Sequence, residues 1–254
     1  MARAVPAVAR AFDVLELFLD EAELSAPEII ARLGLPRTTV HELLGTLAER
    51  GYLAPVAEAN RFRLGVRAFR LGAAYADRLD LAREGRLVAE EVSRRCRETA
   101  HVGVLDGAEV LYVAKVDGSH PVRMVSAVGR RLPAHCTAVG KVLLAALPPE
   151  RFAELYPRRE LPAMTANSTT DREALRRELD AIRAAGGAAR ECCESNEAVA
   201  CAAAPVRDAA GEVVAALSAS VPIPRWDERT AEELAHLVGI GAAELSARLG
   251  HVAG

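Results

Sequence analysis

The sequence contains few aromatic residues, almost no lysine and little net charge. Phe, Trp and Tyr make up 4% of the 254 residues, so the core must be built mainly from Ala, Leu and Val. Only two of the 32 basic residues, Lys115 and Lys141, are lysines. With a net charge of −3 and 51% hydrophobic residues, the chain has too much apolar surface for a disordered protein.

Membrane and secretion signals are also missing. No uninterrupted apolar run approaches the roughly 20 residues that a membrane-spanning helix needs. Asp13, Glu16 and Asp20 interrupt the segment where a signal peptide would have its apolar centre. We therefore expect a cytoplasmic protein with no membrane partner, whose five cysteines are reduced thiols. The zinc-type pairing of CxxC motifs is absent, and no cofactor is expected.

The near-neutral total hides an uneven charge distribution in the first 75 residues, which contain nine Arg and nine acidic residues. Six acids and no base lie in 13–28, whereas six Arg and three acids lie in 36–70. We expect one basic surface inside a neutral domain, and a local basic surface is typical of nucleic-acid binding.

Residues 1–65 have the pattern of a winged helix-turn-helix. Apolar residues recur at helical spacing in 7–19, and a second helix is predicted to begin at Ser25 and to end at Gly34. A third helix is predicted over 37–50, with an inward stripe of Val40, Leu43, Leu44 and Leu47. A short helix, a glycine turn and a further helix are the spacing of a helix-turn-helix motif.

The two runs that follow, 52–55 and 61–64, flank a polar tip and predict a hairpin wing. Residues 66–82 predict a linker helix, and 83–254 predict one domain of mixed strands and helices. Because the strands and helices do not alternate regularly, the fold class is α+β. The predicted strands are 99–105, 109–116, 122–128, 198–206 and 213–221, and the predicted helices are 137–147, 171–185 and 227–249.

The third helix carries the candidate DNA-reading residues. Its N-terminal part is the part that enters the major groove in this motif. Hydroxyls and helix N-terminal amides suit phosphate oxygens, Arg suits guanine, and Glu suits the cytosine amino group. The candidates are Arg37, Thr38, Thr39, His41 and Glu42 on the helix, with Arg61 and Arg63 on the wing.

Several segments in the expected order resemble the IclR family of transcriptional regulators. They are RAFDVLELF (10–18), LGLPRTTV (33–40), LAERGYL (47–53), RLG (63–65), LPAHCTAVGKVLLA (132–145), AAPV (203–206) and ALSASVP (216–222). The resemblance implies a winged helix-turn-helix joined by a helix to a GAF-like (profilin-like) effector domain. It also implies a homodimer or dimer of dimers on a palindromic double-stranded operator, controlled by a small metabolite, often an organic acid.

Family positions carried onto this sequence imply an effector pocket lined by Met, Leu, Ser and Cys rather than by aromatic rings. Its apolar walls would be Met124 and Leu132, and Ala138 and Val139 would offer backbone amides at a helix N-terminus. The remaining members would be Glu191, Val199, Cys201, Ser218 and Ser220. Lys141 is expected to act in structure, by capping or salt-bridging the helix that contains it.

Two alternatives use the thiols. His135, Cys136, Cys192 and Cys201 are soft ligands of the kind that bind zinc or copper(I), or sense oxidants. Cys192 and Cys193 would point to opposite faces of a strand, so both would not ligate one ion without distortion. A small thiol hydrolase would need Cys136 as nucleophile with His101 or His135 as base. Since no complete triad is evident, the chain is expected not to be an enzyme.

Overall fold

The computed structural model describes residues 5–57, 60–76, 80–119 and 127–252. The chain divides into two compact units, Met1–Arg78 and Leu79–Gly254. Among the described residues, no helix is both long and apolar enough to cross a lipid bilayer.

The first unit contains four helices and a small sheet among its described residues. The helices are α1 (Pro6–Glu16), α2 (Ala26–Leu33), α3 (Arg37–Glu49) and α4 (Val66–Ala76), and a 3₁₀ turn, Leu17–Leu19, follows α1. The strands are β1 (Leu24–Ser25), β2 (Leu53–Val56) and β3 (Arg61–Leu64), in the antiparallel order β1-β3-β2. The helix-turn-helix and the hairpin are therefore present where the sequence predicts them.

Local sequence chemistry explains the start and end of α2. Ser25 is its N-cap, and the Glu28 carboxylate accepts hydrogen bonds from both the Ser25 amide and the Ser25 hydroxyl at 2.7 Å. This reciprocal capping box satisfies donors that the first helical turn leaves unpaired. Gly34 ends the helix at φ +64°, in the left-handed region that glycine enters without strain. Of the predicted inward stripe on α3, Val40, Leu44 and Leu47 are buried, whereas Leu43 is half-buried.

The second unit is an antiparallel sheet with helices on both faces. The strands are β4 (Thr99–Asp106), β5 (Glu109–Val116), β6 (Arg131–Pro133), β7 (Ala189–Cys192), β8 (Val199–Arg207) and β9 (Val213–Pro222). Their order in the sheet is β6-β5-β4-β9-β8-β7. The helices are α5 (Asp80–Cys96), α6 (Ala138–Ala145), α7 (Pro149–Leu155), α8 (Arg172–Ala184) and α9 (Glu228–Arg248).

Side-chain alternation gives the two faces of this sheet different neighbours. One face packs with α5 and α9 in a cluster that includes Val102, Leu217 and Leu245. The other face packs with α6, α7 and α8. Helices α5 and α7 and strands β1, β6 and β7 were not predicted from the sequence. Residues 122–126 of a predicted strand lie outside the described residues, and 127–128 are not in a strand.

Candidate functional site

The exposed start of α3 is the first candidate site. Arg37, Thr38 and His41 are exposed, and Val40 lies on the opposite, buried side of the helix. Because α3 begins directly after Pro36, its first-turn amides and the Arg37 guanidinium share the same end of the helix. This is the end that can approach phosphate and base edges.

Two other predicted contacts on α3 lie on a different stripe. Thr39 is half-buried, and together with Glu42 it lines an apolar groove that α1, α3 and α4 form. The Thr46 hydroxyl, one turn on, donates to the Glu42 carbonyl at 2.9 Å and lines the same groove. We therefore assign Thr39 and Glu42 to the groove side, and Thr38 and His41 to the exposed side.

The two arginines of the wing have different environments. Arg63 is exposed on β3. The Arg61 guanidinium instead donates to the Glu23 carbonyl at 2.9 Å and lies 3.0 Å from a carboxylate oxygen of Glu28. Hydrogen bonds from Ser25, with a contribution from Arg61, lower the pKa of Glu28 to about 2. Arg61 therefore ties β3 to the start of α2, and its contact with DNA stays a prediction.

The groove itself is apolar and has a volume of about 1250 Å³. It is lined by large side chains that stay exposed in the single chain, among them Phe12 (59% exposed) on α1 and Phe69 (75% exposed) on α4. Exposed apolar surface of this extent is typical of an interaction site. Arg10 and Glu16 supply opposite charges on the same lining.

The second candidate site is a set of polar side chains on the sheet face below α6. Strand register aligns Glu191 with Cys201, Cys201 with Ser220, and Ser220 with Thr99. This first row therefore crosses four strands, β7, β8, β9 and β4. The Cys201 sulfur lies 3.2 Å from the Ser220 hydroxyl, and the side chains of Glu191 and Ser220 are 3% and 6% exposed.

Burial controls the protonation of this row. It raises the pKa of the Glu191 carboxyl, against the hydrogen bond that the Glu194 amide donates to its Oε2 at 3.0 Å. Burial also raises the pKa of the Cys201 thiol well above its usual range, and the nearby Glu191 carboxylate adds to that effect. Burial in this row therefore favours the protonated forms of the Glu191 carboxyl and the Cys201 thiol.

A second row lies beside the first. Ser218 pairs with Ala203 on one side and with His101 on the other, and His101 pairs with Lys115. His101 is 4% exposed, and burial with the nearby Lys115 charge lowers its pKa to about 4. The imidazole is therefore neutral at physiological pH.

Tyr112 completes this region, with its ring centroid 5.1 Å from that of His101. Burial raises the pKa of its phenol, and Cys201 and Glu191 are close enough to raise it further. The rings of His101 and Tyr112 therefore lie beside residues of the predicted pocket, which the sequence did not predict. A histidine at an inward position of a predicted strand could have indicated His101 as a site residue. Its place beside Ser218 depends on the register of β4 with β9, which the sequence does not show.

The N-terminus of α6 packs directly on this face. A side chain at Gly103 would meet Val110 and Val139 at 2.6 and 2.9 Å, so the absence of a Cβ lets the helix start approach the sheet. The Thr137 hydroxyl caps the helix by accepting from the Gly140 amide at 3.0 Å. Ala138 and Val139 therefore lie at the predicted helix start, next to the polar rows.

The other predicted pocket residues vary in position. Val199 lies on β8 with the same inward parity as Cys201, and it pairs with Pro222. Leu132 on β6 is half-buried against the same core cluster. Met124 lies outside the described residues.

Lys141 supports one side of the site. Its side chain is fully buried, and its ammonium lies 2.6 Å from the Glu178 carboxylate and also contacts Glu194. Burial alone would lower the pKa of Lys141, but the two carboxylates outweigh it and raise the pKa. Since Glu194 donates its amide to Glu191, Lys141 positions the pocket carboxyl through Glu194. The structural role expected for Lys141 agrees with this geometry.

The four thiol and imidazole groups of the metal alternative do not converge. Within the described ranges, no group of three or more His, Cys, Asp or Glu side chains has a metal-ligating arrangement. His135 bonds through Nε2 to the Pro162 carbonyl at 2.8 Å, and its ring packs edge-on against Tyr156. Cys136 is buried, and burial raises its pKa, whereas Cys192 is exposed.

One chain thus combines an exposed helix-turn-helix with a separate sheet domain that has two rows of buried polar side chains. This combination defines a transcriptional regulator with a ligand-binding domain. Two family models match: an IclR helix-turn-helix domain over residues 7–57, and a bacterial transcriptional regulator IclR C-terminal domain over residues 73–247. The chain belongs to the IclR family of transcriptional regulators.

Individual relatives agree with this assignment. The chain is 34% identical over 248 residues to the HTH-type transcriptional regulator KdgR of Escherichia coli, which covers 97% of this chain and 94% of KdgR. An IclR transcriptional regulator from Alicyclobacillus acidocaldarius has a similar crystal structure, with a TM-score of 0.85, 27% identity and coverage of 96% and 99%. An IclR homologue from Microbacterium hydrocarbonoxydans, crystallised with 4-hydroxybenzoate, has a TM-score of 0.80 and 31% identity, with coverage of 95% and 99%. The named relatives are regulators rather than enzymes, as the sequence predicts.

Proposed function

We propose that this regulator senses a small organic acid in the sheet pocket of its second unit. The observation that carries the proposal is the placement of Ser218 and Ser220 on one strand face, beside the neutral His101. Hydroxyl groups that share one strand face favour a polar ligand over an apolar one. The adjacent amides at the start of α6 favour an anionic group. A relative that binds 4-hydroxybenzoate supports the same class of ligand.

Glu191 adds a preference within that class. Because burial shifts its carboxyl towards the neutral acid, Glu191 suits a ligand hydroxyl or oxo group better than a second carboxylate. The ligand would then place its carboxylate towards the α6 amides and its hydroxyl or oxo oxygen towards Glu191 and Ser220.

For the first unit we propose binding of a palindromic operator in the cytoplasm by a symmetric dimer. Arg37, Thr38 and His41 would enter the major groove, and Arg63 would contact the adjacent phosphates. The apolar groove of α1, α3 and α4 would be covered by the same groove of a second copy. Opposite charges from Arg10 and Glu16 on one lining allow self-complementary contact across a two-fold axis.

The proposed regulation is a shift between dimer conformations. An acid that binds one conformation more tightly changes the population in which the two recognition helices match the half-site spacing. The sign of regulation depends on which conformation the ligand favours.

A screen of small carboxylic acids by thermal shift tests the ligand class. A true effector raises the melting temperature with the logarithm of its concentration and changes affinity for operator DNA selected from random sequence. We expect Ser218→Ala and Ser220→Ala to abolish the shift. Ser246→Ala is the matched control, since Ser246 is also a buried serine but lies on α9, which packs on the opposite face of the sheet. A ligand that stabilises the protein without changing operator affinity would contradict the proposed regulation.

A further inference from the structure

Cys192 and Cys193 form a pair whose geometry departs from that of a strand. Cys192 ends β7, and Cys193 follows with φ +61°, in the left-handed region that non-glycine residues rarely adopt. This turn reverses the alternation expected along a strand and brings the two sulfur atoms to 3.9 Å. The expectation that the two thiols point to opposite faces is therefore wrong. Cys192 is exposed and Cys193 is half-buried, so reagents in solvent can reach the pair.

Hydrogen bonds on both sides hold this turn in place. The Cys193 amide donates to the Val199 carbonyl at 2.9 Å, and the Cys193 carbonyl accepts from the Thr165 hydroxyl at 2.6 Å. The Cys193 thiol donates to the Glu197 carbonyl at 3.1 Å. The backbone of the turn that carries the two thiols is thus fixed by its neighbours.

The distance between the two sulfur atoms favours one atom bound to both of them over a disulfide bond between them. A disulfide needs its sulfurs about 2.05 Å apart and its Cα atoms about 4.4–6.8 Å apart, whereas adjacent Cα atoms lie about 3.8 Å apart across a trans peptide. Closing the bond would bring these sulfurs together from 3.9 Å inside a strained ring. A pyramidal trivalent atom that binds both sulfurs at about 2.3 Å, with an S–X–S angle of about 100°, needs the sulfurs only about 3.5 Å apart. The two sulfurs would then approach by about 0.4 Å, against about 2 Å for a disulfide.

We propose that Cys192 and Cys193 form a second ligand site, separate from the effector pocket, that binds a soft trivalent centre through both sulfurs. Trivalent arsenic is the type of ligand that fits, because it is thiophilic and takes two sulfurs and one oxygen or carbon. With arsenous acid, two arsenic–sulfur bonds replace two arsenic–oxygen bonds. The two thiol protons leave with the displaced oxygens as two water molecules, and no atom is oxidised or reduced.

The protonation of Cys193 agrees with this chemistry. Partial burial and the neighbouring Cys192 thiol raise the pKa of Cys193, which keeps that sulfur a thiol. Peroxide sensing needs a thiolate, whereas exchange with an arsenic hydroxide releases water from protonated thiols.

The site is connected to the effector pocket by the next residue. The Glu194 amide donates to Glu191 in the first polar row, and the Glu194 carboxylate contacts the buried Lys141. A ligand that bridges the two sulfurs therefore rigidifies the turn that holds the Glu191 carboxyl. We expect slower amide hydrogen exchange in the peptide covering 191–195 when the site is occupied.

The test uses phenylarsine oxide on the reduced full-length protein, measured by intact mass spectrometry. We expect one phenylarsenic group per chain, with release of one water, that survives excess monothiol and is removed by a 1,2-dithiol. Cys192→Ser and Cys193→Gly should each lose this monothiol-resistant adduct. Glycine is chosen at 193 because it accepts the left-handed backbone, and thermal unfolding checks that each variant is folded.

Cys96→Ser is the matched control and should keep the adduct, since Cys96 is remote in sequence and half-buried. The proposal is overturned if the wild type forms no monothiol-resistant adduct, or if both single variants keep it. It is also overturned if the exchange rate of 191–195 falls equally in the Cys192→Ser variant.

Discussion

Ser218 and His101 face each other across β9 and β4, so the pocket places a hydroxyl beside a neutral imidazole. Both side chains are at most 4% exposed, and neither neighbours the other in sequence. The two residues therefore lie side by side on the sheet face of the predicted pocket. Because the pKa of His101 is lowered, the free energy of unfolding should depend on pH.

Stability should fall as the pH is lowered towards 4, because of His101. An unfolded chain binds this proton near pH 6.5, whereas the folded chain resists it until about pH 4. Between these values the unfolded state binds more protons, so unfolding becomes easier as pH falls, by an amount on the order of 3 kcal/mol. Urea unfolding from pH 7 to 4 measures the slope.

His101→Gln removes this titration and should flatten the slope in that window. The raised pKa of Glu191 has the opposite effect, since it stabilises the folded state at lower pH, and it is present in both proteins. The difference between the two curves therefore isolates His101. Parallel curves would show that its imidazole is not held neutral.

Lys141→Met should destabilise the second unit by about 3–5 kcal/mol, because it leaves the buried end of Glu194 and the Glu178 carboxylate without their cation. Chemical denaturation at pH 7 is the measurement. Arg176→Met removes the exposed ion pair with Glu173 and should cost about 0–1 kcal/mol. Equal effects of the two substitutions would refute the structural role of Lys141.

Arg37→Ala should weaken operator binding by about 1–3 kcal/mol if the guanidinium reads a base edge. Fluorescence anisotropy with the selected operator and with a scrambled duplex separates the two kinds of contact. A loss confined to the operator indicates base reading. The same loss on both duplexes would assign Arg37 to phosphate instead.

Arg61 and Arg63 should differ although they are two residues apart on β3. Arg63→Ala should reduce the slope of log affinity against log salt by about 1, since one phosphate contact is lost. Arg61→Ala should leave that slope unchanged and lower the melting temperature, because it frees Glu28 and the Glu23 carbonyl. A reduced salt slope with unchanged stability in Arg61→Ala would restore it as a DNA contact.

Phe69→Glu should convert the proposed dimer to monomers. The side chain is 75% exposed in the single chain, and a buried carboxylate at its position would oppose apolar contact between two grooves. Sedimentation velocity measures the assembly state. Val252→Glu, at an exposed position near the C-terminus, is the control and should not change it.

Much of the architecture follows from local sequence chemistry. The Ser25 cap, the Gly34 turn and the apolar stripe of α3 use interactions within a few residues, and all three occur where the sequence predicts them. The hairpin of β8 and β9 was predicted for the same reason, because alternation and a turn are local signals. Strand β7 was not predicted, because only four residues carry its alternating pattern.

The candidate ligand site of the second unit could be predicted only in part, because it is formed by residues that are distant in sequence. Ser218 and Ser220 share a face by strand alternation alone, and the sequence was sufficient to predict that. The placement of His101 and Tyr112 beside them needed the register of β4 with β9 and β5.

The sequence by itself determined the helix-turn-helix, the wing hairpin, the Ser25 cap, the Gly34 turn and the family. Only the tertiary structure decided that Arg61 pairs with Glu28, and that Cys193 adopts a left-handed backbone which brings its sulfur to Cys192. The physical reason is that arginine, serine and cysteine can each take several roles, such as an ion pair, a cap, a ligand contact or a packed side chain. Their roles are selected by partners far away in the chain, through burial and hydrogen bonding.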